Sequence, residues 1–187
     1  MPAPRLIFLA GPNGAGKSTF YELFLQETGL EFINADRITA ALGISNEEVA
    51  VVADAARVEK LEAQRLFITE TVFSDPGGAK LGFLRDAIKA GYDVHLMFIG
   101  LASPLLLEGR VAQRVASGGH DVPPDRLERR FSQSLENLRT ALTFVPDVSV
   151  FDNTSDTNPF QLVLAVRRGQ RRFVAESVPR WLRPVIV

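Results

Sequence analysis

Short runs of consecutive apolar residues alternate along the chain with longer segments in which apolar positions recur every three or four residues. The run at 6–10 ends in a glycine-rich turn, and unbroken apolarity of this length is typical of a strand buried on both faces. Similar runs predict further strands at 32–34, 66–69, 92–100 and 148–151. Helical spacing predicts helices between them, at about 17–29, 45–65, 78–90, 103–117 and 125–142. This alternation predicts an α/β fold with a doubly wound parallel sheet.

Particular residues mark the ends of these helices. Ser45 and Glu48 have the spacing of a capping box, in which each side chain bonds the backbone amide of the other residue. Ser103 and Pro104 have the character of an N-cap and a first helical residue. Gly29 is placed to end the first helix, because a residue without Cβ tolerates left-handed geometry.

The C-terminal part departs from the alternation. Two extended runs, at about 160–166 and 171–178, flank a glycine turn and predict a terminal antiparallel β-hairpin. From Pro159 onward, six arginines against one acidic residue give a local charge of +5. An arginine-rich hairpin is most often a solvated edge that discourages pairing with other sheets, and the alternative is a site for phosphate or a partner.

Composition and charge narrow the functional classes. With 187 residues and 46% hydrophobic content, the chain is expected to form one domain, 1–187, with a substantial core. Its net charge of −1 provides no general attraction to nucleic acid, and the lack of cysteine excludes a disulfide framework and a cysteine nucleophile. The apolar stretch at 94–107 is interrupted by His95 and Pro104, so no membrane span is predicted. With no signal peptide recognised, we expect a soluble, cytoplasmic protein without a membrane or nucleic-acid partner.

The segment between the first predicted strand and helix matches the phosphate-binding loop pattern G-x-x-x-x-G-K-[ST], in the strand-to-helix context that the pattern requires. The glycines let backbone N–H groups point inward, Lys17 places a full charge near the terminal phosphates, and Ser18 offers its hydroxyl to Mg²⁺. A dinucleotide-binding turn is disfavoured, because Thr19 stands where its third glycine is required. The expected nucleotide contacts are Gly11, Pro12, Asn13, Gly14, Ala15, Gly16, Lys17, Ser18 and Thr19.

Two carboxylates follow predicted strands at the edge of the sheet where ligands bind. Asp36 comes after the second strand and Glu70 after the third. Because the carboxyl ends of parallel strands open on the same crevice as the phosphate loop, either side chain could deprotonate an acceptor hydroxyl or hold a metal-bound water. The alternative is that each is a helix cap or a loop carboxylate. Their equivalent positions beside a phosphate loop favour the functional interpretation.

A lid-like segment is predicted at about 110–130, where a turn at 118–124 joins two helices that both carry arginine. Guanidinium groups can neutralise charge that spreads over phosphate oxygens during transfer, and surface ion pairing with glutamate is the competing explanation for each arginine. His120 could contact phosphate or cap a loop, whereas His95, inside an apolar strand, is more typical of a core histidine. The four arginines are Arg110, Arg114, Arg129 and Arg130. The sequence leaves open which of Arg129 and Arg130 points into the site.

Together these motifs resemble the zeta toxin family of P-loop kinases. The resemblance rests on the phosphate loop, on the steps at 34–36 and 70–71, and above all on the stretch at 110–138, where a glycine, histidine, valine and proline pattern follows two arginines. It covers roughly residues 6–153. It implies a P-loop kinase fold with a helical lid, and ATP- and Mg²⁺-dependent phosphorylation of a small-molecule hydroxyl. In characterised members the acceptor is a UDP-amino sugar used in wall synthesis.

The resemblance also implies roles for individual residues. Asp36 would be the base that takes the hydroxyl proton, and Glu70, with Thr71 beside it, would hold the substrate, which His120 would also contact. An antitoxin protein, as a separate chain, is a further partner that the resemblance makes possible. The residues implied in catalysis are Lys17, Asp36, Arg114 and Arg130.

Other functions remain open from the residues. A nucleotide-dependent switch or ATPase that acts through a protein partner also explains the phosphate loop, but it gives Asp36 and Glu70 no acceptor to serve. A kinase that acts on RNA or DNA ends is weakened by the near-neutral net charge, although the +5 tail keeps it open.

Overall fold

The computed structural model describes residues 3–103 and 124–186. Its strands are β1 (Arg5–Ala10), β2 (Glu31–Ile33), β3 (Phe67–Thr71), β4 (Asp93–Gly100), β5 (Asp147–Asp152), β6 (Gln161–Arg167) and β7 (Gln170–Val174). Within the described residues these strands form one sheet in the order β2-β3-β1-β4-β5-β6-β7. Neighbouring strands from β2 to β5 run parallel, while β6 and β7 run antiparallel to their neighbours.

The helices of the described residues are α1 (Lys17–Phe20), α2 (Ala35–Leu42), α3 (Asn46–Glu62), α4 (Ala79–Lys89), α5 (Pro124–Ala141) and α6 (Arg183–Ile186). After α1 the chain continues through a π-helical turn at Tyr21–Leu25 and a 3₁₀ turn at Gln26–Thr28. This run ends at Gly29, as predicted, with a φ of 66°. No helix in this part of the chain is long and apolar enough to cross a membrane.

The predicted fold class is confirmed, because the sheet is mostly parallel and helices pack on both of its faces. Phe83 of α4 lies against Phe8 of β1, with ring centroids 6.3 Å apart. Phe20 of α1 lies against Phe151 of β5, with centroids 4.9 Å apart. The strand register and the alternation of side chains place Phe8 and Phe151 on opposite faces of the sheet.

The predicted elements that the structure describes have the expected type and differ at some ends. The capping box at Ser45 and Glu48 is confirmed, since the Ser45 N–H donates to Glu48 Oε2 at 2.9 Å and the Glu48 N–H donates to Ser45 Oγ at 3.3 Å. Helix α2 was not predicted. It has only eight residues and buries none of them. The predicted helix from 104 onward and the turn at 118–123 lie outside the described residues.

The predicted C-terminal hairpin is confirmed, and it extends the main sheet because β6 pairs with β5. All residues of β7, at the edge, are exposed. The chain then returns to the sheet at Trp181, whose Nε1 donates to Asp152 Oδ1 at 3.0 Å. A Cβ on Gly100 would lie 2.2 Å from the Trp181 ring, so this contact requires glycine at the end of β4.

His95 lies on β4 within a polar cluster, which agrees with the expectation of a core histidine that has polar partners. Its Nε2 is 3.0 Å from Ser149 Oγ and 3.2 Å from Arg167 Nη1. Burial, and secondly the charge of Arg167, lower the pKa of His95 from 6.5 to about 4. The folded protein therefore keeps His95 neutral at pH values where the unfolded chain takes up a proton.

We expect acid to destabilise the protein through His95. The contribution of the neutral imidazole to stability is complete above pH 6.5 and is lost as the pH falls from 6.5 towards about 4. Between about pH 7 and pH 5 the loss should be on the order of 2 kcal/mol. Urea unfolding of the wild type and of His95→Gln at both pH values measures it. Equal losses in the two proteins would contradict the assignment.

Candidate active site

The phosphate loop joins β1 to α1, and its glycines have backbone angles that other residues rarely adopt. The φ values are 144° at Gly11, 72° at Gly14 and 92° at Gly16. A Cβ on Gly11 would also lie 2.2 Å from the carbonyl oxygen of Ile99 on β4. The loop therefore requires glycine both for its conformation and for its close contact with the neighbouring strand.

Asn153, immediately after β5, supports the same loop and was not predicted. Its Nδ2 donates to the carbonyl oxygen of Ala15 at 2.9 Å, and its backbone N–H donates to that of Gly100 at 2.9 Å. A Cβ on Gly16 would lie 2.5 Å from the same Nδ2. The buried amide of Asn153 thus fixes the loop against the end of the sheet.

Lys17, the first residue of α1, is only 6% exposed. Its Nζ donates to the carbonyl oxygen of Pro12 at 3.0 Å and lies 3.7 Å from Oε1 of Glu70. A buried ammonium group needs such partners, because taking an unpaired charge out of water is costly. The positive charge of Lys17 is therefore held between the phosphate loop and β3.

Glu70 connects the phosphate loop to β2. Its Oε2 accepts a hydrogen bond from Asn34 Nδ2 at 2.7 Å and another from Ser18 Oγ at 3.5 Å. Asn34 is buried, and its Oδ1 caps α2 by accepting the N–H of Arg37 at 2.8 Å. The sequence predicted that Glu70 follows the third strand. Pairing of β3 with β1 continues to Thr71, so Glu70 lies within β3 instead.

A cleft of about 1020 Å³ brings most of the described candidate residues together. Asp36 enters it from the first turn of α2, where the residue is exposed. Both Arg129 and Arg130 of α5 line it; Arg129 is exposed, whereas Arg130 is partly buried. The principal candidates in this cleft are Lys17, Ser18, Asp36, Glu70, Thr71 and Arg130.

Part of the predicted lid is not placed. Arg110, Arg114 and His120 lie outside the described residues. Of the predicted lid, the structure describes the part from Pro124, where α5 begins.

The segment after β3 forms another wall of the cleft, and α5 holds it in place. Phe73 has a φ of 60°, an uncommon value for a residue with a side chain, and its fully buried ring lies 5.6 Å from that of Phe8. Asn137 Nδ2 donates to the carbonyl oxygens of Phe73 at 2.9 Å and Asp75 at 3.2 Å. Asn137, which the sequence analysis gave no role, thus connects the arginine-bearing helix to this wall.

The available donors fit a magnesium ion that binds together with phosphate. The Ser18 hydroxyl and the Glu70 carboxylate are hard oxygen ligands, and Mg²⁺ usually takes one or two carboxylates plus substrate phosphates and water. Residues 3–103 and 124–186 contain no group of three or more His, Cys, Asp or Glu side chains that could hold a metal ion.

Comparison with known sequences gives one family and one curated relative. The profile of the Zeta toxin family matches residues 1–161. A Haemophilus influenzae protein, described only as uncharacterized, is 29% identical over 133 residues, which are 68% of this chain and 92% of that protein.

Solved structures share the fold. The AvrRxo1-ORF1:-ORF2 complex with ATP aligns with a TM-score of 0.69 at 16% identity, over 90% of this chain and 60% of that chain. The PezAT chromosomal toxin-antitoxin system of Streptococcus pneumoniae aligns with a TM-score of 0.66 at 15% identity, over 88% of this chain and 72% of that chain. At these identities the similarity establishes the fold alone. The sequence match over residues 1–161, which include the phosphate loop, both carboxylates and α5, confirms the predicted resemblance: this chain belongs to the zeta toxin family.

Proposed function

We propose that the chain is a kinase that uses ATP and Mg²⁺ to phosphorylate a hydroxyl group of a small molecule. Membership of the zeta toxin family supports a nucleotide-dependent, kinase-type function. The observation that carries the proposal is that the phosphate loop and the exposed carboxylate of Asp36 line the same cleft. A nucleotide switch would need the loop but would have no use for that carboxylate.

The phosphate end of the cleft would bind the triphosphate. Residues 11–19 would surround the phosphates, and Lys17 would exchange its contact with Glu70 for the terminal phosphate oxygens. Ser18 and Glu70 would hold Mg²⁺, whose chemistry there is to neutralise charge on the β- and γ-phosphoryl groups. The ATP complex of the AvrRxo1 structure supports ATP as the nucleotide.

The acceptor end would activate the hydroxyl. Its proton would pass to the carboxylate of Asp36, and its oxygen would attack the γ-phosphorus while the bond to the β-phosphate oxygen breaks and ADP leaves. We assign contact with the acceptor to Glu70, with Thr71 beside it, since both residues line the cleft. Arg130 would neutralise charge on the transferring group, and we assign the same role to Arg114 and phosphate or substrate contact to His120.

The size and charge of the cleft support two anionic substrates. A volume of about 1020 Å³ lies at the upper limit of the roughly 300–1,000 Å³ typical of a site for one small ligand. Three arginines of α5 line it, Arg126, Arg129 and Arg130, and guanidinium groups bind phosphate well. We therefore propose a UDP-amino sugar, the acceptor of characterised family members, as the first acceptor to test. We also propose that the chain acts in the cytoplasm.

A separate antitoxin chain is the protein partner that we propose. The PezAT structure comes from a toxin-antitoxin system, and this supports an equivalent partner here.

Transfer of labelled phosphate tests the reaction. The protein is incubated with ATP labelled at the γ-phosphate, first with UDP-N-acetylglucosamine and then with a metabolite extract. Label on an organic acceptor supports the kinase. Label that is released only as inorganic phosphate in both mixtures contradicts it and favours the switch or ATPase.

Lys17→Ala should lower the rate of phosphoryl transfer by a factor of about 10³, because this chemistry depends mainly on positioning and charge neutralisation. The measurement is kcat/KM with MgATP. Lys89→Ala is the matched control. Lys89 is 78% exposed on α4, away from the cleft, and its substitution removes the same charge. Activity of Lys17→Ala close to that of the control would exclude the proposed role.

Asp36→Asn should lower turnover by a factor of about 10²–10⁴, which is the usual contribution of a general base. The dissociation constant of MgATP should change by less than about threefold. Titration calorimetry measures binding and the label assay measures turnover. Asp86→Asn, at a residue 66% exposed on α4, controls for the lost negative charge. Unaltered turnover in Asp36→Asn would remove this carboxylate from the mechanism.

A further inference from the structure

Arg57 is a buried cation that the proposed reaction does not use. It lies on α3, is 4% exposed, and lines the cleft. Burying a guanidinium group is costly unless its N–H groups find acceptors. The contacts of this side chain therefore indicate what it holds.

The guanidinium group connects two neighbouring strands, β3 and β2. Its Nε donates to Thr69 Oγ1 at 2.6 Å, and its Nη2 donates to the carbonyl oxygen of Glu70 at 3.0 Å. The Thr69 hydroxyl in turn donates to the carbonyl oxygen of Ile33 at 3.3 Å, at the end of β2. One side chain thus connects α3 directly to β3 and, through Thr69, to β2.

The hydrogen bonds of Arg57 restrain both partners of the contact between Glu70 and Asn34. Glu70 Oε2 accepts from Asn34 Nδ2 at 2.7 Å, and Asn34 directly follows the β2 carbonyl that Thr69 holds. Arg57 therefore restrains the backbone of Glu70 directly and that of Asn34 through Thr69. Loss of Arg57 would free both to shift, and the 3.7 Å contact between Glu70 and Lys17 depends on their positions.

Asp54 holds the guanidinium group in this position. Its Oδ1 accepts from Nη1 of Arg57 and from Nζ of Lys80. Burial acts to raise the pKa of Asp54, but the hydrogen bond and charge of Lys80, with those of Arg57, hold it below its ordinary value. Burial lowers the pKa of Arg57, yet an arginine remains protonated at neutral pH.

We propose that Arg57 is a positioning residue that acts on nucleotide binding and phosphoryl transfer through Glu70. The inference rests on the proposed function and identifies a further residue that supports the same site. A positioning role differs from a general structural role in one respect. The effect of losing Arg57 must largely disappear when the Glu70 carboxylate is already absent.

A double-mutant cycle tests this difference. The wild type, Arg57→Met, Glu70→Gln and the double variant are compared by the dissociation constant of MgATP and by kcat/KM for phosphoryl transfer. Arg57→Met should weaken both by about tenfold or more in the wild-type background and by less than about threefold in the Glu70→Gln background, because residues that act through a shared group are not additive. The same factor in both backgrounds would overturn the proposal.

Two further variants separate geometry from charge. Arg85→Met is the matched control, since the Arg85 guanidinium lies 4.3 Å from the centre of the Phe144 ring, away from the cleft; it should change either measurement by no more than about twofold. Arg57→Lys keeps the charge but lacks the planar fork that reaches several acceptors. A loss like that of Arg57→Met supports the positioning role, whereas full activity in Arg57→Lys overturns it.

Thr69→Val keeps the test decisive if Arg57→Met fails to fold. It removes the hydroxyl that connects Arg57 to β2 and leaves a side chain of similar size, and circular dichroism with urea unfolding checks its fold. Its loss of MgATP affinity should be smaller and should again vanish in the Glu70→Gln background; an undiminished loss there overturns the proposal. A wild type that binds no MgATP refutes the proposed function itself. If MgATP binds but no acceptor is found, the binding cycle alone decides the role of Arg57.

Discussion

A buried ammonium group that faces a carboxylate is the interaction on which this site depends. The side chains of Lys17 and Glu70 are 6% and 11% exposed, and their charged atoms are 3.7 Å apart. Removing one partner of such a pair leaves an uncompensated buried charge, at a cost of about 3–5 kcal/mol. A triphosphate with its cation can replace both contacts at once, because it brings negative charge to the lysine and positive charge to the carboxylate. Without nucleotide, the carboxylate keeps the lysine in place.

The strand order places the two partners side by side. Strand β1 lies between β3 and β4, so the loop that follows β1 has Thr71 on one side and Ile99 on the other. Strand β2 pairs with β3 and delivers Asn34 next to Glu70, and α2 begins at once after it. The same turn that caps α2 therefore places Asp36 at the cleft. The positions of the loop, the ion pair and the proposed base follow from the parallel part of one sheet.

The sequence predicts those features that neighbouring residues determine. The phosphate loop, the glycine that ends the first helix and the capping box at Ser45 depend on a few consecutive positions, and strand and helix types follow from apolar spacing. The supporting contacts could not be predicted in this way. Asn153 and Ala15 are 138 positions apart, and Asn137 and Phe73 are 64 apart. Arg57 is a charged residue of a type that usually lies at the surface, and only the folded sheet reveals what it holds.

The packing of Trp181 on Gly100 has a consequence for how this protein is divided into parts. The family match ends at residue 161, at the first residue of β6, whereas this indole covers the end of β4 from 20 positions further along. A fragment trimmed to the region of homology would keep every residue of the phosphate loop and lose the strand beside β5 and the ring above Gly100. A fragment chosen by homology alone would thus keep the proposed nucleotide-binding residues and lose part of the packing that supports the sheet. The family match thus ends before the residues whose packing supports the sheet.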